Sequence, residues 1–302
     1  MTIKTGFGDQ PAVPSIDRET CTLCGLCARA CKSETLTMGE GEVKIDCDTP
    51  FGCVGCGQCM MVCPTGSMTV IGRDISPEDL VDLPPREQRA TADQLEALLL
   101  ARRSVREYSQ REVEREVIDR ILEIASTAPM GIPPSDVGVI VFHGREKVQE
   151  FAEDIVRLYG GVSKFANPIA AALMRPFVGK EMMEAFKTFI IPLAECLMEK
   201  RAEGIDWLFY DAPAALLFHV SRYADPVDGA IASTYAMTAA ESLGLGTCMI
   251  GSVAPALERS KKLMAKYGIP KGNKPVMALT LGYADLEYQR AVRRRFASVS
   301  YA

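Results

Sequence analysis

No uninterrupted apolar stretch in the 302 residues approaches the ~20 that a membrane-crossing helix needs, so no membrane partner is expected. No apolar segment of signal-peptide character is present and the eleven cysteines are an odd number, which together argue against a secreted disulfide framework. Histidine is scarce: His143 and His219 are the pair, both in or beside strand-like runs, and both are read as structural. No Ser/His/Asp set or paired carboxylates stand out, so side-chain nucleophilic or acid–base hydrolysis has no candidates. The glycines make no dinucleotide fingerprint and give no sign of NAD(P)H. A net charge of −5 argues against nucleic acid as a partner. Hydrophobic residues at 48% and charged ones at 24% describe an ordinary globular chain, and its length suggests about two domains.

Against these absences stands one concentrated feature. Cys21, Cys24, Cys27 and Cys31 follow a C-x2-C-x2-C-x3-C spacing that Cys53, Cys56, Cys59 and Cys63 repeat, each 32 residues after its counterpart and closed by Pro64. Gly25 matches Gly57, and Thr35-Leu36-Thr37 matches Ser67-Met68-Thr69, so the repeat outruns the cysteines and predicts two copies of one small unit. Three thiolates at two-residue gaps can wrap one face of an iron–sulfur cube. Structural zinc would use paired C-x2-C units some ~15–20 residues apart and leave the third cysteine of each run redundant. Residues 12–72 resemble two-cluster bacterial ferredoxins, with Lys32 where the first run would carry proline. The resemblance implies crossed ligation: Cys21, Cys24, Cys27 and Cys63 on one 4Fe-4S cluster, Cys53, Cys56, Cys59 and Cys31 on the second. Eight thiolates kept reduced for metal imply a reducing compartment, the cytoplasm. Cys47, Cys196 and Cys248 fall outside both runs and are read as small buried hydrophobes.

Residues 1–12 have no periodic pattern and read as a loose arm. The paired prolines of Asp82-Leu83-Pro84-Pro85-Arg86 stiffen a connector and set the boundary between domains 1–82 and 83–302. Thr91 and Gln94 have capping-box spacing, and Leu95, Leu98 and Leu99 give one apolar stripe. A second amphipathic helix covers about 112–126 and is broken by the Pro/Gly-rich loop 129–135. Val137 to Phe142 reads as a covered central strand, 145–159 and 180–200 as helices, Pro213 to Val220 as a strand and Ala230 to Leu243 as a small-residue helix. A strand at 247–250, a helix over about 255–267, a strand at 276–281 and a tail from Tyr283 complete an alternating, layered order.

The helix beginning at Thr91 runs into Arg102-Arg103-Ser104-Val105-Arg106. Cations at a helix end usually complement the dipole and sit in water. Yet a Pro129-Met130-Gly131 loop follows one helix later, a Gly-Leu-Gly-Thr-Cys-Met-Ile-Gly segment spans 244–251, and Arg293-Arg294-Arg295 closes the chain. In that order these features resemble the nitroreductase family of FMN oxidoreductases, over residues 90–302. The resemblance implies FMN as cofactor. Arg102, Arg103 and Ser104 would meet its phosphate and ribityl chain, and Arg106 its N1/O2 edge, where a fixed guanidinium stabilises reduced flavin. Pro129, Met130 and Gly131 would line the ring from a neighbouring subunit of a homodimer, Ile250 and Gly251 would offer backbone groups near N5, and Arg294 would take the phosphate. Arg293 and Arg295 are read as solvated. Common family members carry asparagine, glutamine and tryptophan in the loop where this chain has Ile132-Pro133-Pro134-Ser135-Asp136.

The implied fold is α+β: a two-cluster ferredoxin-like domain followed by a nitroreductase-like α/β/α layered domain with a mixed sheet. The implied function is an oxidoreductase relaying single electrons through two 4Fe-4S clusters to FMN, for reduction of an electron-poor organic acceptor of nitroaromatic, quinone or enone type. Two readings stay beside it. Electrons could run from NAD(P)H or a reduced substrate to an external ferredoxin, or the chain could be a redox-sensing module without turnover.

Overall fold

The computed structural model describes residues 12–73, 75–131, 136–163 and 179–301. The expected N-terminal arm up to residue 11 and the loop at 132–135 lie outside the described residues.

The cysteine-rich stretch folds as β1 (Val13–Ile16), α1 (Leu26–Ala30), β2 (Leu36–Gly39), β3 (Glu42–Ile45), α2 (Gln58–Met61) and β4 (Met68–Ile71). The sequence repeat is a structural one, because α2 and β4 begin 32 residues after α1 and β2. β1 pairs antiparallel with β4, Val13 opposite Ile71, and β2 pairs with β3, Leu36 opposite Ile45. Gly25 and Gly57 cap the two short helices at φ 71° and 70°, in the left-handed region where a side chain is strained. Leu36, Val43, Met60, Met68 and Val70 form a small core that includes Cys27 and Cys59. Such a core is slight for a stretch of this size, so stability here is expected to lean on metal.

The second unit is built on a four-stranded sheet in the order β5-β6-β8-β7: β5 (Val137–His143), β6 (Ala214–Val220), β8 (Lys274–Gly282) and β7 (Gly246–Ile250). These strands pair antiparallel throughout, and the sheet's parallel component is a bridge from Ser104 to Thr247 at the β7 edge. All seven residues of β6 are buried. Its alternate side chains serve two cores, as a doubly covered strand requires. Ala215 and Leu217 join Phe151, Ile155, Leu197 and Leu257 from α5 (Arg145–Ser163), α7 (Ile191–Ala202) and α9 (Val253–Glu258). Ala214, Leu216 and Phe218 join Ile118, Ile121, Ala236 and Ala240 from α4 (Arg115–Ala125) and α8 (Pro226–Ser242). The result is an α/β/α sandwich. α8 approaches closely because it is alanine-rich and because a Cβ on Gly229 would already stand 3.0 Å from Val276.

Several local expectations need correction. Val137–His143 is an edge strand, half-buried along most of its length, and the central positions belong to β6 and β8. Continuous apolarity alone does not distinguish an edge strand under a helix from a central one. The expected helix over 180–200 is continuous in backbone geometry but not uniform: α6 (Lys180–Ala185) passes through a π turn at Phe186–Ile190 into α7. Pro192, at the start of α7, offers no N–H to the preceding turn, which loosens the ladder where the π turn sits. The 255–267 helix is split into α9 and α10 (Lys261–Lys266), because Ser260 leaves helical geometry and its hydroxyl caps the Leu263 N–H at 3.3 Å. Cys248 is buried as expected, but Cys196 is only partly so and Cys47 is exposed.

The capping box at the start of α3 (Ala92–Ala101) is formed in both directions, Thr91 Oγ1 accepting from Gln94 N and Gln94 Oε1 from Thr91 N. Its apolar stripe is uncovered: Leu95 and Leu99 are each 48% exposed. After α3 the chain straightens and Val105 N–H donates to Thr247 O at 2.9 Å. Val105 then packs over Gly246, where a Cβ would stand 2.5 Å from its Cγ2. Gly246→Val is therefore expected to cost about 1–3 kcal/mol and to lift 102–106 off β7. A urea midpoint equal to that of the unsubstituted protein would contradict this packing.

Candidate functional site

Two cavities lie in the N-terminal unit. Cys21, Cys24, Cys27 and Cys63 line one together with Gly25; Cys53, Cys56, Cys59 and Cys31 line the other with Gly57. Each group joins three cysteines of one run to the fourth of the other run. The fourth cysteines carry matching partners two residues on: Cys31 Sγ is 3.4 Å from Ser33 Oγ and Cys63 Sγ is 3.6 Å from Thr65 Oγ1. Among the described residues no three or more His, Cys, Asp or Glu side chains converge as a single-ion site. A mononuclear zinc would need its sulfurs about 2.3 Å from one point. Thiols ringing a void suit a cube instead. Burial pushes the Cys27 and Cys53 thiols up, and Cys59 up to about 12. Cys63 is also pushed up by burial, but the Thr65 hydroxyl and backbone N–H groups outweigh this and leave it lowered. Buried thiols of this kind become thiolates when a cation's charge is present.

A third cavity, of about 620 Å³, opens beside β7 in the C-terminal unit, where Arg106, Cys248, Ile250 and Gly251 line it together. The strand-like 102–106 segment explains the arrangement. Val105 turns inward at 4% exposure while Ser104 and Arg106 on either side are exposed. Tyr108 anchors the segment from below, donating to Val105 O at 3.0 Å and lying 2.7 Å from Thr280 Oγ1. The Arg106 guanidinium lies 5.7 Å from the Tyr210 ring centre. Tyr210 and Asp211 both adopt left-handed backbone, φ 58° and 54°. Asp206 fixes that turn by accepting from the N–H groups of Leu208, Phe209 and Asp211 at 3.0–3.3 Å. Strain of this kind is kept where position matters. Burial pushes the Cys248 thiol up although Arg106 opposes it, so it stays neutral near pH 7. Arg102 and Arg103 lie close enough to Glu241 at the end of α8 to pull its half-buried, raised carboxyl back down in part.

Other expected residues lie elsewhere in the chain. Pro129, Met130 and Gly131 do not line this cavity: Met130 packs on the α4–α8 core, and Gly131 N–H donates to Asp228 Oδ2 at 3.1 Å. Arg294 lies in the exposed tail beyond Tyr283, with no hydrogen bond or ion pair to the described residues. Sequence reasoning missed Tyr210, Tyr159 and Arg259, all on the cavity wall. Only the strained backbone of Tyr210 and the break between α9 and α10 mark them, and neither has a sequence signal. Thr247 Oγ1, 1% exposed and beside Ser104, is a buried hydroxyl with no partner among the described residues.

The nitroreductase family matches residues 99–283, more than half of the chain. This chain belongs to the nitroreductase family. A 4Fe-4S dicluster domain matches residues 20–67, so this nitroreductase carries a ferredoxin-type unit ahead of its family domain. It is similar to a protein of Methanothermobacter thermautotrophicus provisionally named NADH dehydrogenase/NAD(P)H nitroreductase, 31% identical over 191 residues that make up 63% of this chain and 77% of that one. It is also similar to an NAD(P)H-type FMN reductase of Bacillus subtilis, 28% identical over 186 residues, 60% of this chain and 62% of that one. A solved, FMN-bound nitroreductase from Bacteroides fragilis shares the fold at a TM-score of 0.51 and 19% identity, covering 69% of this chain and 99% of its own. The family and the 4Fe-4S unit together make this nitroreductase an FMN and iron–sulfur oxidoreductase.

Proposed function

We propose that this chain moves single electrons between two 4Fe-4S clusters in its N-terminal unit and FMN in its C-terminal unit, and reduces an electron-poor organic acceptor of nitroaromatic, quinone or enone type. The observation that carries this reading is the cavity where Arg106 meets Cys248, Ile250 and Gly251, on the same chain as two cysteine-ringed cavities. Cys21, Cys24, Cys27 and Cys63 would hold one cluster, and Cys31, Cys53, Cys56 and Cys59 the other. The residues present suit FMN. Nothing lies within 4 Å of where a Cβ on Gly251 would stand, which leaves its backbone open to a flat ring. FMN supplies one- or two-electron chemistry when bound, and so converts between the currency of clusters and that of organic hydride acceptors. Arg102, Arg103 and Ser104 would hold its phosphate and ribityl chain. Arg106 would place positive charge where negative charge develops on reduction.

Arg294 and Pro129 to Gly131 would reach the flavin from a second copy. The uncovered stripe of α3 supports a homodimer, as do Val292, Phe296 and Tyr301 in the tail, 76%, 87% and 98% exposed. Gly251→Val is expected to leave the unfolding midpoint unchanged and to weaken FMN binding by about tenfold or more, read by fluorescence titration of apoprotein; unaltered affinity would remove Gly251 from the flavin site. The decisive composition test is anaerobic purification with iron, sulfide and FMN counted together. About eight iron, eight sulfide and one FMN per chain are expected for two clusters of this type. Zinc in place of iron, or no flavin, contradicts the proposal.

The names of the Methanothermobacter and Bacillus relatives include NAD(P)H, which favours the donor of one other reading, in which NAD(P)H supplies the electrons; an external ferredoxin would receive them. Bleaching of the clusters by NADPH with no added protein would select it. Thiolate clusters of this kind suit a reducing compartment, the cytoplasm.

A further inference from the structure

The cavity beside β7 has a wall that the flavin contacts do not use, and any binding role for that wall rests on this cavity being the acceptor site. Tyr159 from α5, Phe189 and Ile190 from the π turn, Leu193 from α7 and Pro255 from α9 line it. This wall is apolar and partly aromatic. The Tyr159 hydroxyl is already committed, donating to Ser252 O at 2.7 Å, which leaves the ring as its contribution to the cavity lining. No aspartate or glutamate is among the lining residues, and the cations are two, Arg106 and Arg259. Arg106 is occupied beside Cys248 and Tyr210.

Arg259 is exposed, and its charge only opposes the rise that burial gives the Tyr159 hydroxyl. Arg259 follows α9, where the helix has ended and Ser260 turns the chain into α10. A cation at a helix C-terminus is favoured in its own right, which accounts for a charge there but not for its place in the lining of an apolar cavity. Among the described residues no carboxylate pairs with it. A guanidinium presents a planar fork that matches a carboxylate, whereas a phosphate dianion is held best by several cations, and this wall has one. We propose that Arg259 is a specificity-determining residue and that the preferred acceptors are aromatic or conjugated compounds bearing a single carboxylate, the apolar body against Tyr159 and Phe189.

The test uses the FMN- and cluster-loaded protein, its Arg259→Met and Arg259→Lys variants, and two probes of nearly equal size, 4-nitrobenzoate and methyl 4-nitrobenzoate. In Arg259→Met the KM for the acid, and its Kd by calorimetry without reductant, are expected to rise about tenfold. Arg259→Lys should recover part of that loss. Both constants for the ester should stay within about twofold, and its kcat should not move. Equal losses for acid and ester in Arg259→Met, or none for either, would overturn the role of Arg259 while leaving the acceptor site standing. Failure of the unsubstituted holoenzyme to bind or reduce either probe would overturn the acceptor site and the assignment of Arg259 with it.

Discussion

Cys31→Ala is expected to strip the N-terminal unit of one cluster only. Cys31 lines the cavity of Cys53, Cys56 and Cys59, although it lies more than twenty residues before them. With one of four thiolates gone, iron and sulfide should fall to about half, while the cluster on Cys21, Cys24, Cys27 and Cys63 survives and FMN content is unchanged. The neighbouring hydroxyl of Ser33 is a weak substitute for a thiolate. The core packed around the cysteines is small, so the N-terminal unit should also melt earlier, metal binding and folding being coupled. Iron and sulfide analysis with electron paramagnetic resonance of the reduced protein reads the outcome. Loss of the cluster built on Cys21, Cys24 and Cys27 would show that the ligands are not crossed between the two runs.

Arg106→Ala should act on the flavin and leave both clusters intact. Reduced flavin carries negative charge at N1, and a guanidinium held there stabilises the reduced form. Removing it is expected to lower the midpoint potential by roughly 30–60 mV, about 1.4–2.8 kcal/mol for a two-electron couple. Turnover should fall with it, and Arg106→Lys should restore part of the potential. The Tyr210 turn, fixed by Asp206, does not depend on the Arg106 side chain, so the variant should fold normally. An unshifted potential in Arg106→Ala, with FMN bound, would place the guanidinium away from the ring.

Much of this could be read before the fold was known, for reasons that differ by region. The cysteine spacing prescribes a local geometry almost by itself, and the paired glycines at 25 and 57 mark the same left-handed turn in each copy. The Thr91–Gln94 capping box was equally legible, because all its atoms lie within one helical turn. The central position of β6 was not, since strand order is set by long-range pairing that apolarity along one segment does not encode. The cavity wall was hidden for a related reason. Tyr159, Phe189, Tyr210 and Arg259 come from four separate places in the chain, and only tertiary packing brings them together. The π turn arises just ahead of Pro192, a local signal that periodicity averages away.

The most direct test of electron exchange between the two units is anaerobic rapid mixing of the holoprotein with reduced methyl viologen, following cluster and flavin absorbance separately. The same measurement is made on a variant lacking both clusters through Cys24→Ala and Cys56→Ala. In the holoprotein the clusters should bleach first and the flavin follow at a rate independent of protein concentration, while in the variant flavin reduction should be slow. Equal flavin rates in both proteins, or a holoprotein rate that rises in proportion to protein concentration, would contradict that exchange.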